Sequence, residues 1–388
     1  MSEAPRGVGP EALVAVATDA GGWRVLEPVI GELQRRGRLV MPMLVGKAAE
    51  LARRAGVEYV ALDGATRTEQ AAQIVRAFPA AILLGTSVGE VVEWEVARHA
   101  RWRAPTLGVL DAMLFVEQRF GARLEAMPNV VASPDRESAA RLVALGAAPE
   151  RVIVTGNPTL EAIGVAEAGG ASLRELARGS QGGPGGEASG ELLGEASSDW
   201  AGPAPDGPLD VLFVSQPVVR IGWEESPFAI DERASLAHVL AALADLAHLA
   251  PHGYRVRVRP HPVERLDGLP TGSGRVAVEV DDDPDRIRSV RRARVVVGLS
   301  SSLLAEARML PRSAIAYLPG PYWAREPVFA AEQGVRVVSS VRALRDAIAG
   351  AIQAPPAPAP NEAHRGATAR IADLALQLAK RGATAAAG

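Results

Sequence analysis

Cysteine is absent from the 388 residues of the sequence. Its absence excludes disulfide bonds, cysteine-ligated zinc and thiol catalysis, and it is consistent with a reducing compartment. Neither sign of charge is in excess, since 42 Lys and Arg stand against 45 Asp and Glu. Nucleic-acid-binding proteins usually carry a basic excess or stripe, so we expect no nucleic-acid partner. Long hydrophobic runs and a signal-type N-terminal segment are also missing, so we expect a soluble, cytoplasmic protein.

The sequence does contain enough apolar residues for two cores, 48% against 22% charged, and its length favours two domains. Short β-rich runs alternate with helix-like stretches along both halves, which indicates parallel βαβ units. We therefore predict an α/β protein with two doubly wound Rossmann-like domains facing a central cleft. The predicted strands are Leu13–Thr18, Arg38–Val45, Glu58–Leu62, Ala80–Leu84, Pro105–Leu110, Asn129–Ala132, Val152–Val154, Asp210–Val214, Tyr254–Arg259, Val276–Val280, Val295–Gly298, Ser313–Leu318 and Val335–Val338.

Composition changes between Val165 and Pro208, where Gly, Ser, Ala, Pro and acidic residues dominate. Such a segment buries too little apolar surface to order itself. We predict that residues 1–164 form the first domain, 165–208 a flexible linker and 209–354 the second domain. Residues 355–388 are predicted to be a proline-rich spacer and a last helix. Doubly wound domains bind ligands beyond the carboxyl ends of their strands, so we expect the site in these loops, at the cleft.

The strand at Val295–Gly298 leads into a serine-rich turn and a helix. Free backbone N–H groups and the helix dipole favour a phosphate there, and Ser300, Ser301 and Ser302 can donate further hydrogen bonds. Glu306 lies about one turn further on, where a carboxylate can accept hydrogen bonds from ribose hydroxyls. A serine cap followed by a surface glutamate explains the same pattern equally well.

A second candidate follows the strand at Tyr254–Arg259, where two prolines flank a histidine. Arg259 and His261 place a cation and an imidazole at a strand exit, which suits a pyrophosphate leaving group. Ser215 and Gln216, after the first strand of the second half, are expected to bind phosphate or base. A solvated loop histidine is the plainer alternative.

The first half offers candidate bases and acceptor contacts at its own strand exits. Asp19 follows the first strand and precedes Gly21 and Gly22, which permit a tight turn and the close approach of an acceptor. Asp111, after the fifth strand, is the second candidate base. Helix capping explains both aspartates about equally well. The remaining acceptor-binding candidates are Thr86, Ser87 and Arg119.

Motifs of several other enzyme classes are missing from the sequence, including G-x-G-x-x-G, the Walker sequence, H-E-x-x-H and G-x-S-x-G. Asp281–Asp283 superficially matches a metal-binding D-x-D pattern. It precedes Pro284 and a helix, so a cluster of acids at a helix start is the better interpretation. Gly156–Pro158 is expected to be a structural turn that ends the first domain. We assign no metal and no cofactor.

Three short motifs, taken in order, resemble sugar-nucleotide glycosyltransferases of the GT-B fold. They are Gly156-Asn157-Pro158, Arg259-Pro260-His261-Pro262, and Gly298-x-Ser300-Ser301-Ser302 with Glu306-Ala307. The sequence looks closest to the branch of capsule-type glycosyltransferases, glycerol-phosphate transferases of teichoic acid synthesis and hydrolysing UDP-N-acetylglucosamine 2-epimerases. The epimerase sequences Gly-Thr-Arg-Pro-Glu and His-Val-Glu-Ala-Gly are not found, which counts against epimerase activity.

The resemblance implies that the second domain binds a nucleotide-activated sugar donor and the first an acceptor glycan, lipid or small molecule. It also implies that His261 and Ser300–Ser302 hold the donor phosphate, that Glu306 holds the ribose, and that no metal is needed. We therefore expect a metal-independent glycosyl or polyol-phosphate transferase. A hydrolysing epimerase and a non-catalytic nucleotide-binding protein of this fold are the alternatives. Peripheral membrane contact and a homodimer are both left open.

Overall fold

A computed structural model describes residues 11–62, 64, 66–77, 79–89, 91–101, 103–112, 114–169, 207–216, 230–261, 264, 268–270, 272–320, 328–354 and 359–387. The chain divides into two compact units. The first comprises Met1–Gly194 and Asn361–Gly388, and the second Glu195–Pro360. Each unit is considered below through its described residues.

Each unit contains one parallel β-sheet. The first has seven strands in the order β3-β2-β1-β4-β5-β6-β7, and the second has six in the order β10-β9-β8-β11-β12-β13. Every predicted strand overlaps an observed strand, and the predicted pair of doubly wound α/β units is confirmed. The strands are β1 Leu13–Ala17, β2 Val40–Leu44, β3 Val60–Ala61, β4 Ala81–Gly85, β5 Thr106–Val109, β6 Val130–Ser133, β7 Val152–Val154, β8 Leu209–Val214, β9 Tyr254–Arg259, β10 Val276–Val280, β11 Val295–Gly298, β12 Ser313–Tyr317 and β13 Arg336–Val338.

Helices lie between most pairs of successive strands, as is usual for crossover connections in parallel sheets. In the first unit they are α1 Ala20–Arg35, α2 Gly46–Ala55, α3 Arg67–Arg76, α4 Val92–Ala100, α5 Val116–Phe120, α6 Arg136–Ala144, α7 Pro158–Gly169 and, at the C-terminus, α12 Ala367–Ala387. In the second unit they are α8 Glu232–Asp245, α9 Arg286–Arg292, α10 Ser302–Met309 and α11 Val341–Gln353. None of the helices in the described part of the chain is long and apolar enough to cross a bilayer.

The predicted linker requires a correction at its start. Sequence composition placed the beginning of a flexible segment at Val165, but Val165–Gly169 form the end of α7. The helix reaches this far because Ile163 and Ala166 are buried on the first unit. Residues 170–206 of the predicted linker lie outside the described residues.

Strand β1 shows how each sheet is held between helices. All five of its residues are buried. Its odd-numbered residues lie in one hydrophobic cluster with α1 and α12, whereas Val14 and Val16 share another cluster with α3 and α4. Because both faces of the strand are covered, its sequence is a continuous apolar run instead of an alternating one. Its carboxyl end is thereby fixed at one edge of the sheet.

The last helix, α12, packs on the first sheet. Ile371 and Ala375 are fully buried in the cluster that contains β1. The start of α12 is bound by Glu161 of α7, whose carboxylate accepts hydrogen bonds from the amides of Gly366 and, at 2.8 Å, Thr368. A negative charge at a helix N-terminus is stabilising. The predicted C-terminal helix is therefore part of the first unit.

The turn Gly156–Pro158 packs against the segment that precedes α12. Gly156 has φ of 85°, and a Cβ there would lie 3.1 Å from Cα of His364. The His364 side chain is fully buried, and its Nδ1 accepts a hydrogen bond from the Asn157 amide at 3.3 Å. This turn is thus a docking point for the C-terminal segment.

His364 makes the stability of the first unit depend on pH. Burial lowers the pKa of His364 to about 4. Since its unfolded pKa is about 6.5, the neutral imidazole contributes stability above pH 6.5 and loses it as the pH falls toward 4. We expect the wild type to lose about 3 kcal/mol relative to His364→Gln between pH 7 and pH 4. Chemical denaturation at both pH values measures this difference. The control is His252→Gln, at an exposed position. If the difference in free energy of unfolding between the wild type and His364→Gln is the same at both pH values, the lowered pKa of His364 is contradicted.

Candidate functional site

In the first unit the candidate bases gather where β1 and β5 end. Asp19 caps α1, and its Oδ1 accepts a hydrogen bond from the Gly22 amide at 2.7 Å. Asp111 lies against the same turn, because a Cβ on Gly21 would overlap its Oδ2. The two predicted bases are therefore neighbours beside one glycine turn.

A pair of glycines lets this turn touch the end of β4. A Cβ on Gly85 would lie 2.8 Å from Cα of Gly22, closer than Cβ contacts in real proteins. A side chain at either position would push the turn that carries Asp19 away from β4. Close packing against Gly85 thus explains the glycine at position 22. The contact of Gly21 and Gly22 with an acceptor stays a prediction.

Asp111 forms a buried ion pair with Arg119 of α5. Nη1 of Arg119 lies 2.5 Å from Oδ1 of Asp111, and the side chains are 7% and 16% exposed. The guanidinium also donates to the carbonyl of Thr86 and, from Nε at 2.9 Å, to that of Leu114. Burial raises the pKa of Asp111 above its usual value, Arg119 opposes this rise, and Asp19 adds to it. The Arg119 guanidinium thus joins Asp111 to the Thr86 and Leu114 carbonyls, and its contact with an anionic acceptor stays a prediction.

Two hydroxyl groups predicted to contact an acceptor have partners within the protein. Thr86 Oγ1 donates to the carbonyl of Val109 at 3.3 Å, and Ser87 Oγ donates to Oε1 of Glu93 at 3.0 Å. Both residues are buried. They therefore line the inner wall of the site, and their contact with an acceptor stays a prediction.

Glu93, in the first turn of α4, is a member of this cluster that the sequence patterns did not reveal. Its carboxylate is buried and accepts hydrogen bonds from the Thr18 amide at 2.9 Å and the Thr18 hydroxyl at 2.6 Å. Burial raises the pKa of Glu93 to about 7; hydrogen bonds from Thr18 and Ser87 oppose this rise and Asp19 adds to it. A glutamate near a helix start carries no distinguishing signal until the fold brings these partners to it.

In the second unit, the segments after β8, β9 and β11 meet at the carboxyl edge of the sheet. Ser215 Oγ donates to Oε1 of Glu264 at 2.7 Å, and the His261 amide donates to Oε2 of Glu264 at 3.0 Å. Oε1 of Gln216 accepts from the Ser300 amide at 2.6 Å and the Ser300 hydroxyl at 3.1 Å. Two adjacent residues after β8 thus link the histidine loop to the serine turn. The neighbouring Pro262 lies outside the described residues.

The serine turn begins α10 as the sequence predicted. The Ser301 hydroxyl caps the helix by accepting from the Leu303 amide at 3.3 Å, and Ser302 is the first helical residue and is exposed. Gly298 precedes the turn, and a Cβ there would lie 3.0 Å from the carbonyl oxygen of Val214. The close approach of β11 to β8 therefore brings the helix start next to Gln216. The binding of phosphate at this helix start stays a prediction.

Two other predicted donor contacts are paired inside the second unit. Nη1 of Arg259 lies 2.9 Å from Oδ2 of Asp281 and donates to the carbonyl of Asp283 at 2.9 Å. Glu306 is 2% exposed and accepts from Nε of Arg286 at 2.7 Å. These pairs connect β9 to the segment after β10, and α10 to α9. Contact of Arg259 with phosphate, or of Glu306 with ribose, stays a prediction.

The acidic cluster at Asp281–Asp283 has structural partners. Asp281 also pairs with Arg257 at 3.2 Å, and Asp285, two residues beyond the cluster, caps α9. Among the described residues, no three His, Asp or Glu side chains are grouped so that they could hold a metal ion.

No family model and no curated protein sequence matches this chain. Solved structures match nearly all of it. UDP-GlcNAc 2-epimerase from Neisseria meningitidis, bound to UDP-GlcNAc, is 13% identical with a TM-score of 0.62 over 94% of this chain and 100% of that one. MurG from Acinetobacter baumannii is 12% identical with a TM-score of 0.53 over 94% and 99%. The glycotransferase of kitacinnamycin is 14% identical with a TM-score of 0.58 over 95% and 99%.

These matches define the class of fold. The chain has the GT-B fold, with two Rossmann-like units, as the resemblance of the short motifs implied. The fold is shared by glycosyltransferases and by UDP-GlcNAc 2-epimerases. At 10–14% identity the likeness shows the fold alone, so the activity has to be argued from the chemistry of the site.

Removal of the Arg119 guanidinium should test the buried ion pair. Arg119→Leu leaves Asp111 buried without its counter-charge, so we expect a loss of about 3 kcal/mol in the free energy of unfolding. The loss should be larger at pH 8 than at pH 5, because Asp111 is ionised to a greater extent at the higher pH. Arg54→Leu, which breaks the exposed Arg54–Glu50 pair, is the control and should lower the free energy of unfolding far less. Equal effects of the two substitutions would contradict the pairing.

Proposed function

We propose that this protein transfers a sugar or polyol phosphate from a nucleoside-diphosphate donor to an acceptor hydroxyl. The observation that carries the proposal is the junction at the carboxyl edge of the second sheet. There, Ser215 and Gln216 join the His261 loop to the serine turn that starts α10. Backbone amides, hydroxyls and a helix N-terminus at one strand edge are the donors that bind a diphosphate.

Two side chains of the protein accept the hydrogen bonds that we expect the phosphates of the nucleotide sugar to accept when it binds. The Glu264 carboxylate accepts from Ser215 and His261, and the Gln216 amide oxygen accepts from Ser300. Each acts as an internal hydrogen-bond acceptor that an incoming phosphate oxygen can replace. Similar solved structures support a nucleotide-sugar ligand, since the Neisseria meningitidis epimerase is bound to UDP-GlcNAc and the S. aureus MnaA to UDP.

The proposed reaction balances as a direct displacement. In sugar transfer, the acceptor oxygen forms a bond to the sugar, the bond between the sugar and the nucleoside diphosphate breaks, and the diphosphate leaves with the bonding electrons. In polyol-phosphate transfer, the acceptor oxygen forms a bond to the second phosphorus, the pyrophosphate bond breaks, and a nucleoside monophosphate leaves with the bonding electrons. Asp19 or Asp111 takes the acceptor proton. The raised pKa of Asp111 makes its ionised carboxylate a better proton acceptor than that of an ordinary aspartate. The helix dipole at the start of α10, the serine donors and His261 stabilise the negative charge on the leaving group, and we propose that no metal is needed.

A hydrolysing epimerase is the second candidate, because several of the solved structures similar to this chain are UDP-GlcNAc 2-epimerases. It would release the nucleoside diphosphate from the donor with no acceptor present. A non-catalytic nucleotide-binding protein would bind the nucleotide and turn over no donor. Incubation with the donor alone, with donor plus acceptors, and with nucleotide alone separates these three functions.

The donor class is tested by thermal shift against UDP, CDP, GDP, TDP and CMP. A ligand at about 100 times its Kd stabilises the native state by about 2.7 kcal/mol, so one nucleoside diphosphate should raise Tm by several degrees. Absence of a shift with every nucleotide would contradict the proposed donor site.

His261→Ala should lower turnover of the identified donor by about ten-fold or more, because it removes a donor to the leaving group. The fold should be kept, since His261 lies in a loop beyond β9. His252→Ala, at an exposed position of the same unit, is the matched control and should leave turnover unchanged. Full activity of His261→Ala would show that the leaving group lies elsewhere.

A further inference from the structure

Glu93 connects the ends of two neighbouring strands. Thr18 follows β1 and Ser87 follows β4, and both bind the Glu93 carboxylate through three hydrogen bonds of 2.6–3.0 Å. Strands β1 and β4 pair directly, in register Leu13 with Ala81. The carboxylate therefore holds the two loops together just beyond the last pair of the ladder.

The position of Thr18 gives this link a consequence for the candidate site, because Thr18 directly precedes Asp19 in the chain. We propose that Glu93 is a positioning residue: its buried carboxylate fixes the Thr18–Asp19 turn against the end of β4, and so sets where Asp19 lies beside Asp111. Glu93 binds the turn and does not itself touch the substrate. The inference rests on the proposed function to the extent that the Asp19 and Asp111 cluster serves as the proton acceptor.

The surroundings of Glu93 make its charge state sensitive to pH. The ionisable groups that face it are Asp19 and, across a small cavity that both line, Arg119 of α5. Helix α3, packed on α4, buries only Ala71, Ile74 and Val75. With the pKa of Glu93 raised to about 7 by burial, the group is a carboxylate above pH 7 and a carboxylic acid below it. A protonated oxygen donates a hydrogen bond and no longer accepts one well, so acidification weakens the hold on Thr18.

Three variants test the positioning role through steady-state kinetics. Glu93→Ala removes all three hydrogen bonds and should lower kcat by about 10- to 100-fold, because small displacements of a catalytic group are costly. The donor KM should change less than about three-fold, since the donor residues lie in the second unit. Glu93→Gln keeps one acceptor oxygen and replaces the other by a donor, as protonation does, so its kcat should match the low-pH value of the wild type and exceed that of Glu93→Ala. Glu95→Gln, on the same helix and paired with Arg98, is the control.

The pH dependence of kcat distinguishes the positioning role from a merely structural one. We expect wild-type kcat to fall as the pH drops through about 7. In Glu93→Gln the ionisation near pH 7 should disappear from the profile, because an amide does not titrate. Wild-type kcat and pH dependence in both Glu93 variants would overturn the proposal.

Hydrogen exchange separates failure of this inference from failure of the proposed function, because it needs no substrate. In Glu93→Ala the Thr18 amide should exchange at least about ten-fold faster than in the wild type, while amides within β1 keep their protection. If no donor is turned over but Thr18 is deprotected in this way, the proposed function fails and the link through Glu93 stands. An equally protected Thr18 amide in Glu93→Ala overturns the inference whatever the activity.

Discussion

The parallel direction of the strands in each sheet determines where this protein can place functional side chains. Because every βα connection leaves from the same edge, loops that are distant in sequence meet there. In the first unit this edge brings together Thr18, Ser87 and Asp111, and in the second it brings together Ser215, His261 and Ser300. The covered strands contribute rigidity, since their apolar faces are buried on both sides.

The two edges differ in their electrostatics. The first unit places three carboxylates, those of Asp19, Glu93 and Asp111, near one buried guanidinium, that of Arg119. Burial of an acidic group raises its pKa and makes its anion a better proton acceptor. The second unit instead offers amides, hydroxyls and the start of α10, which favour an anion. The proposed transfer reaction would use both edges, the first for a base and the second for charge stabilisation of the leaving group.

Sequence patterns were sufficient for the architecture but not for side-chain partners. Strand positions could be read because a strand covered on both faces is a continuous apolar run, as in Leu13–Ala17. The sequence does not reveal helix α7, because a proline after Gly156-Asn157 is typical of a turn, whereas proline is also well tolerated in the first turn of a helix. The last residues of α7, from Val165 to Gly169, include few large apolar side chains, a composition that is also typical of a linker.

The sequence predicts which loops form the site, because these loops follow strands, but it does not predict the side-chain contacts within them. Strand exits predict Asp19 and Asp111 as site residues, and likewise Gln216 and Ser300, and the fold brings the members of each pair together. Partners such as Glu93 and Glu264 could not be found, since nothing local marks a glutamate that accepts hydrogen bonds from distant loops. The buried pairs of Arg119, Arg259 and Glu306 were hidden for the same reason. Ion pairs between residues that are distant in sequence depend on the packing of the folded chain, and this packing cannot be predicted from a single sequence.

The most direct test of the central claim is amide hydrogen exchange with and without a saturating nucleoside diphosphate. We predict slower exchange at Ser300 and the start of α10, around Ser301–Leu303, and at His261, where the diphosphate oxygens take over the hydrogen bonds of the amides. Protection confined to other parts of the chain, with these amides unchanged, would contradict it.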